Sequence, residues 1–210
     1  MSFMKIQNAL EMLRIDKSFL RNYVLPARPS AATQIVIHGS RLAPDAIART
    51  DALRPHYVID RQGCIFAMHP EGRAPLGDHS ISVCLINDGP RMRLGCNFYP
   101  VRYDSHHMPT PDDSQPCDPH PYEYCTQNRY RGFAWYQNYT TRQLQSLQSL
   151  LRSICFRHGI AVRVSPTMGE FNPHWSADFH GIFLASDIFK GVNLPHPSTD
   201  LINIIKSLAL

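Results

Sequence analysis

The chain has 210 residues, 43% of them hydrophobic, which suffices to bury one substantial core and requires no second domain. Its balance is mildly basic, 21 Lys and Arg against 17 Asp and Glu, which suits loose attraction to an anionic polymer. No two Lys or Arg residues are adjacent and the aromatics do not interleave with basic residues, which argues against a dedicated nucleic-acid surface. No run approaches the roughly eighteen apolar residues of a membrane span.

In chain order, Phe3, Ile6, Leu10, Leu13 and Leu20 recur at helical spacing, broken by Lys17, and Pro26 with Pro29 closes the element. Residues 1–30 therefore read as an amphipathic helix and linker ahead of a domain over 31–210. The same stretch carries Lys5, Arg14, Asp16, Lys17 and Arg21, so it lacks the apolar core of a signal peptide, and synthesis in the cytoplasm is the expectation. Residues 34–38 read as a buried strand ending in His38, and 56–60 as a second. Arg61-Gln62-Gly63 makes a hairpin turn to a returning strand over 64–68. A fourth strand spans 80–86 and closes at Asn87-Asp88-Gly89.

A helix over 140–158 is the clearest element. Thr140 and Gln143 stand in capping-box register, Leu144, Leu147, Leu151 and Ile154 form one stripe, and Gly159 caps the end. A strand over 160–164 follows, and Ser198-Thr199 opens a last amphipathic helix. Six cysteines, Cys64, Cys84, Cys96, Cys117, Cys125 and Cys155, are too few for a disulfide scaffold of this size.

Four collinear blocks carry a family likeness: Ile35-Val36-Ile37-His38, the hairpin from His56 through Asp60 to Gly63, the strand Ser80-Ile81-Ser82-Val83-Cys84-Leu85, and the capped helix with the strand behind it. Together they resemble the zinc-dependent N-acetylmuramoyl-L-alanine amidases of short phage lysins and peptidoglycan recognition proteins, over residues 34–89 and 139–183. The resemblance implies an α/β domain with a single mixed central sheet flanked by helices. It also implies peptidoglycan as partner, and one Zn2+ held by two His and one Cys or Asp, with an open position for an activated water.

In that family the first ligand ends the first strand, which here is His38. The other two follow the late strand in the pattern His, x, Asp/Glu, x, x, Pro, with an acidic or thiolate third ligand further on. Laid without gaps, the pattern meets Glu170, Pro173 and Asp178, but Met168 holds the His place, and a thioether binds zinc poorly. His180 or His174 would have to replace it, so the implied set is His38, Asp178 and His180, with His174 as the alternative. An alignment with His180 second and Asp187 third loses the Glu170 and Pro173 matches. Where the family handles the proton of the attacking water with a Tyr or a Glu, this chain has Pro55 and Cys84, and Ser176 stands where a cation would steady the oxyanion. Arg73 falls where the family often has a groove Arg and is the substrate-binding candidate.

Two functions follow from the resemblance. The favoured one keeps the fold and loses the reaction, leaving a wall-binding or structural module, virion-associated or released on lysis. The other is a working amidase that cleaves the muramoyl-L-alanine amide bond.

Residues 90–139 are dense in Pro, Tyr, His, Asn and Asp, show no clear period, and read as a long loop insertion. They hold Cys117, His120 and Cys125, a thiolate and imidazole set suited to a second, structural zinc. Tyr99, Tyr103, Tyr122, Tyr124, Tyr130, Trp135 and Tyr136 would suit a protein partner.

Overall fold

The computed structural model describes residues 13–18, 31–49, 55–72, 79–106, 108–112, 123–130, 132–165, 168, 179–188 and 196–209. Strand β2 (Gln34–Ser40) is buried along all seven residues. Parallel neighbours close both its edges, β5 (Ser80–Ile86) on one side and β11 (Gly181–Leu184) on the other, and such a doubly flanked strand takes a continuous apolar run. Beyond β5 lie β3 (Tyr57–Ile59), parallel to it, and β4 (Ile65–Ala67), antiparallel to β3 through the hairpin at Gly63. The sheet is mixed, in the order β1-β4-β3-β5-β2-β11, where β1 is Ile15–Asp16.

One face of this sheet is the main core. Ile35, Ile37, Ile81, Val83, Leu85, Ile182 and Leu184 pack there against Leu147, Leu150, Leu151 and Ile154 of α2 (Thr141–His158) and Leu201 and Ile205 of α4 (Thr199–Lys206). The other face carries Val58, Met68 and Cys84 under Ile47 of α1 (Pro44–Arg49), and next to them Val36, Phe183 and Ala185, the last opening α3 (Ala185–Ile188).

Helix α2 begins and ends where its sequence signals place it. Thr140 Oγ1 accepts from the Gln143 N–H at 3.1 Å and donates to the Arg61 carbonyl at 2.6 Å, so the cap also ties down the hairpin turn. The reciprocal half of the capping box is not used. Instead the fully buried Gln143 side chain donates to the carbonyls of Ile59 (3.1 Å) and Ile86 (2.9 Å), at the carboxyl ends of β3 and β5. Gly63 has φ +85, and a Cβ there would meet the Arg142 carbonyl oxygen at 2.8 Å, so the turn needs glycine both for its backbone and for the approach of α2. At the far end of α2, Glu71 accepts from Tyr57 (2.7 Å), Arg157 (2.6 Å) and His158 (2.8 Å). Burial alone would raise its pKa, but these donors bring it down to about 2.

Three expectations are corrected. Within the expected N-terminal helix, Ile15–Asp16 is a parallel edge strand on Ile65 and Phe66. Asp16 Oδ1 accepts from the Ser18 N–H at 2.8 Å, a local turn that competes with helix; the rest of residues 1–30 lies outside the described residues. The expected strand 160–164 is reduced to one bridge, Val164 to Ile182, and the strand beside β2 is β11 instead.

The third correction concerns the insertion, whose described residues form strands rather than one long loop. Strands β6 (Pro90–Leu94), β7 (Asn97–Tyr103), β8 (Pro109–Pro111), β9 (Glu123–Tyr130) and β10 (Phe133–Gln137) form a second, antiparallel sheet in the order β8-β7-β6-β10-β9. It is fixed to the end of β5 by Gln137. The Asn87 side chain donates to the Gln137 carbonyl (2.9 Å), the Asp88 N–H to Gln137 Oε1 (2.9 Å), and the Gln137 N–H to the Gly89 carbonyl (3.1 Å). His196 adds a second tie, its ring stacked between Tyr136 (4.7 Å) and Tyr139 (5.0 Å) just ahead of α4.

Replacing Gln143 with Leu keeps its bulk and strands two buried carbonyls, so denaturant unfolding should show a loss of about 2–3 kcal/mol. Thr140→Ala, which removes a cap, should cost about 1 kcal/mol. Equal losses for the two would argue against the Gln143 bridge.

Candidate functional site

Alternation along β2 sends Ile35 and Ile37 into the main core and His38 to the opposite face, near the carboxyl end of the strand, the end at which open α/β sheets place ligands. His38 is 7% exposed, and its Nε2 is buried without a hydrogen-bond partner. Burial, with a smaller contribution from His56, pushes its pKa down to about 4, so the imidazole is neutral at physiological pH. A neutral imidazole with a free Nε2 is the form that ligates a metal.

Its neighbours decide what more the site can do. On one side the register pairs His38 with Cys84, and Cys84 with Val58. Cys84 is 1% exposed, and burial pushes its thiol up to about 12. It is therefore neither a thiolate nor a base at neutral pH. On the other side the last registered pair is Ile37 with Leu184, so the residue that follows beside His38 is Ala185, packed against Val36 and Phe183. Two residues on, the Asp187 side chain accepts from the Leu184 N–H at 3.0 Å and is 3% exposed. His56, just ahead of β3, is fully buried, and its Nδ1 accepts from the Ser82 N–H at 3.0 Å, which leaves the proton on Nε2. Pro55, where a proton-handling Tyr was sought, is buried.

Of the zinc ligands expected from sequence only His38 and His180 are among the described residues, and these two are not brought together. His180 is exposed and immediately precedes β11, whose first residue pairs with Gln34. Five strand residues, about 16 Å, separate it from the position beside His38. Met168 packs against the main core, on the side of the sheet away from His38. Arg73, His174, Asp178, Cys117 and His120 lie outside the described residues, as does the side chain of Cys125, whose backbone pairs with Trp135 in the second sheet. Among the described residues no group of three or more His, Cys, Asp or Glu could hold a metal. The donor set in view does not fit a Zn2+ beyond the single imidazole of His38. Cys64, Cys84, Cys96 and Cys155 are free thiols.

Sequence reasoning missed β11. Its signal was the apolar run Ile182-Phe183-Leu184, followed by Ala185-Ser186-Asp187.

The family profile described as N-acetylmuramoyl-L-alanine amidase matches residues 28–181. The chain belongs to that family. Family members act on peptidoglycan, and this is a peptidoglycan-related protein of the amidase fold. Among solved structures, the Ph2119 endolysin from Thermus scotoductus MAT2119 bacteriophage Ph2119 is similar over 93% of this chain and 99% of its own, at 12% identity and a TM-score of 0.50. The endolysin N-acetylmuramoyl-L-alanine amidase LysCS from Clostridium intestinale URNW is similar over 95% and 97%, at 13% identity and a TM-score of 0.49. At such identity the likeness to the phage endolysin is one of fold alone. No curated protein matches the chain. Among the described residues no helix is long and apolar enough to cross a membrane.

The buried imidazoles make this amidase-fold domain acid-sensitive. Burial holds His196 at about 3 when folded, against 6.5 for a free side chain, so as pH falls below 6.5 the unfolded chain takes up the proton first and stability drops. Urea unfolding at pH 7 and pH 5 should show His196→Phe, which keeps the ring stack, losing about 2 kcal/mol less than wild type over that interval. Parallel curves for the two proteins would remove His196 from the acid response.

Proposed function

We propose that this amidase-family protein has kept the fold and lost the hydrolysis, and acts as a wall-binding or structural module on peptidoglycan, carried in a virion or set free on lysis. The observation that carries this reading is Ala185. The family pattern puts its second His directly after the late strand, with an acidic residue two positions on. Here the strand parallel to β2 runs into Ala185 with Asp187 two positions on, so a methyl group stands where the imidazole belongs. The opposite neighbour of His38 is a thiol held neutral by burial. With one imidazole and no base among the described residues around it, the fold is kept and the means to activate water is lost. Arg73 keeps its family role here as a contact to the wall.

A second reading is favoured by one observation, the buried and unpartnered Nε2 of His38, an atom that gains from a metal. In that reading His174 and Asp178 complete a zinc site and the protein cleaves the amide between N-acetylmuramic acid and L-alanine. A structural zinc on Cys117, His120 and Cys125 is a separate proposal for the insertion.

Metal content and wall assays divide these readings. Purified protein should sediment with purified sacculi, release no new amino termini from them, and hold no metal that depends on His38. About one zinc per chain, lost in His38→Ala and accompanied by clearing of a wall suspension, establishes the active amidase instead. Metal that persists in His38→Ala and disappears in Cys117→Ala belongs to the insertion.

A further inference from the structure

The second sheet sends alternate aromatics of β10 to opposite faces. Tyr136 is 2% exposed and stacked on His196. Its neighbour Trp135 is half-buried on the other face and belongs to none of the buried clusters. There it meets Phe98 of β7, with ring centroids 4.7 Å apart and planes at 58°. Arg93, paired across the β6–β7 hairpin with Phe98, holds its guanidinium carbon 5.8 Å from both ring centroids. The Arg93 Nε donates to the Gly95 carbonyl at 2.9 Å, which fixes the head group over the rings, while the side chain remains exposed. Burial of the core does not call for this arrangement: two half-exposed rings under an oriented cation.

We propose that Arg93, Phe98 and Trp135 form a subsite for the glycan strand of the wall, separate from the groove at His38. Ring faces carry negative charge density, and the C–H groups along one side of a pyranose, polarised by their oxygens, carry the complementary positive charge. A tilted aromatic pair therefore takes the flat side of a sugar. The guanidinium beside it takes a carboxylate in bidentate fashion, and strands freed of their peptides expose a lactyl carboxylate on every muramic acid. The subsite thus prefers glycan from which the stems have been removed, and its cation selects it over neutral polysaccharide. This inference rests on the wall-binding reading and adds to it the part of the wall that is held.

The test uses the full chain, with peptide-free glycan strands as probe, chitohexaose as the neutral sugar control, and oligothymidylate as a competing polyanion with stackable bases. Trp135→Leu keeps apolar bulk and removes the ring; Arg93→Gln removes the charge from an exposed position. With melting temperatures matched to wild type, Trp135→Leu should bind both sugars at least about fivefold more weakly, the scale of a lost ring contact. Arg93→Gln should weaken the glycan strands and leave chitohexaose unchanged. Wild-type affinity for glycan strands in both variants overturns the subsite, and so does oligothymidylate displacing the strands at lower concentration than chitohexaose. If Trp135→Leu does not fold, Arg93→Gln decides alone. Wild type that fails to sediment with intact sacculi sinks the wall-binding reading itself, whereas sedimentation unaffected by either substitution sinks only the subsite.

Discussion

The parallel pairing of β2 with β5 is the constraint on which everything else in the domain depends. Seven consecutive register pairs, from Gln34 with Ser80 to Ser40 with Ile86, hold the two strands side by side in the middle of the sheet. Because side chains alternate, this one register decides that Ile35, Ile37, Ile81, Val83 and Leu85 meet α2 and that His38 and Cys84 meet the opposite face. A slip of one residue would drive an imidazole into the leucine core and turn the isoleucines outward, at a cost the fold could not absorb. Helix α2 then reads the register: Gln143 reaches the carbonyls of Ile59 and Ile86 only because β3 and β5 end level with each other. Strand β11 is pinned on the other flank by a close approach, since a Cβ on Gly181 would sit 2.4 Å from the Arg163 carbonyl oxygen.

From the end of β5 the chain passes straight into the second sheet, and Gln137 makes that junction stiff. Both its backbone and its amide are engaged, with Asn87, Asp88 and Gly89 as partners. Arg91, 3% exposed, is held to Asp88 at 2.8 Å, and Arg41 beyond the end of β2 donates to the Val101 carbonyl at 2.7 Å. These contacts gather at the carboxyl ends of β2 and β5, the same ends that carry His38. The second sheet is thus fixed beside the end of the central sheet that carries His38.

Much of this was legible in the sequence, for identifiable reasons. The central strands and α2 declared themselves because each must bury a continuous stripe or run, and apolar periodicity records burial. The second sheet did not, because its strands are half-exposed on their faces and interrupted by Pro90, Pro100, Pro109 and Pro111, so neither alternation nor β-propensity stands out. Its hairpin glycines, Gly95 and Gly132, were the readable marks. The site failed for another reason. His38 stands out because it lies near the end of a long buried strand, whereas β11 is only four residues long. His180 precedes that strand, which starts at the end of the sheet far from His38, and an apolar run of three residues gives little sign of this.

What His38 can do is set by the neighbours on its two flanks. A buried neutral imidazole is tolerable in a core, since without charge it forgoes only a hydrogen bond, and stacking against apolar neighbours recovers part of the loss. A second ligand is harder to supply late. Cys84 stands in direct register with His38, but to bind a metal it must give up a proton that burial holds to about pH 12, and the cation would have to offset that first. Ala185 offers nothing to coordinate. Metal hydrolysis at His38 would need donors and a base beyond these described neighbours, while binding to wall asks only for a few exposed contacts.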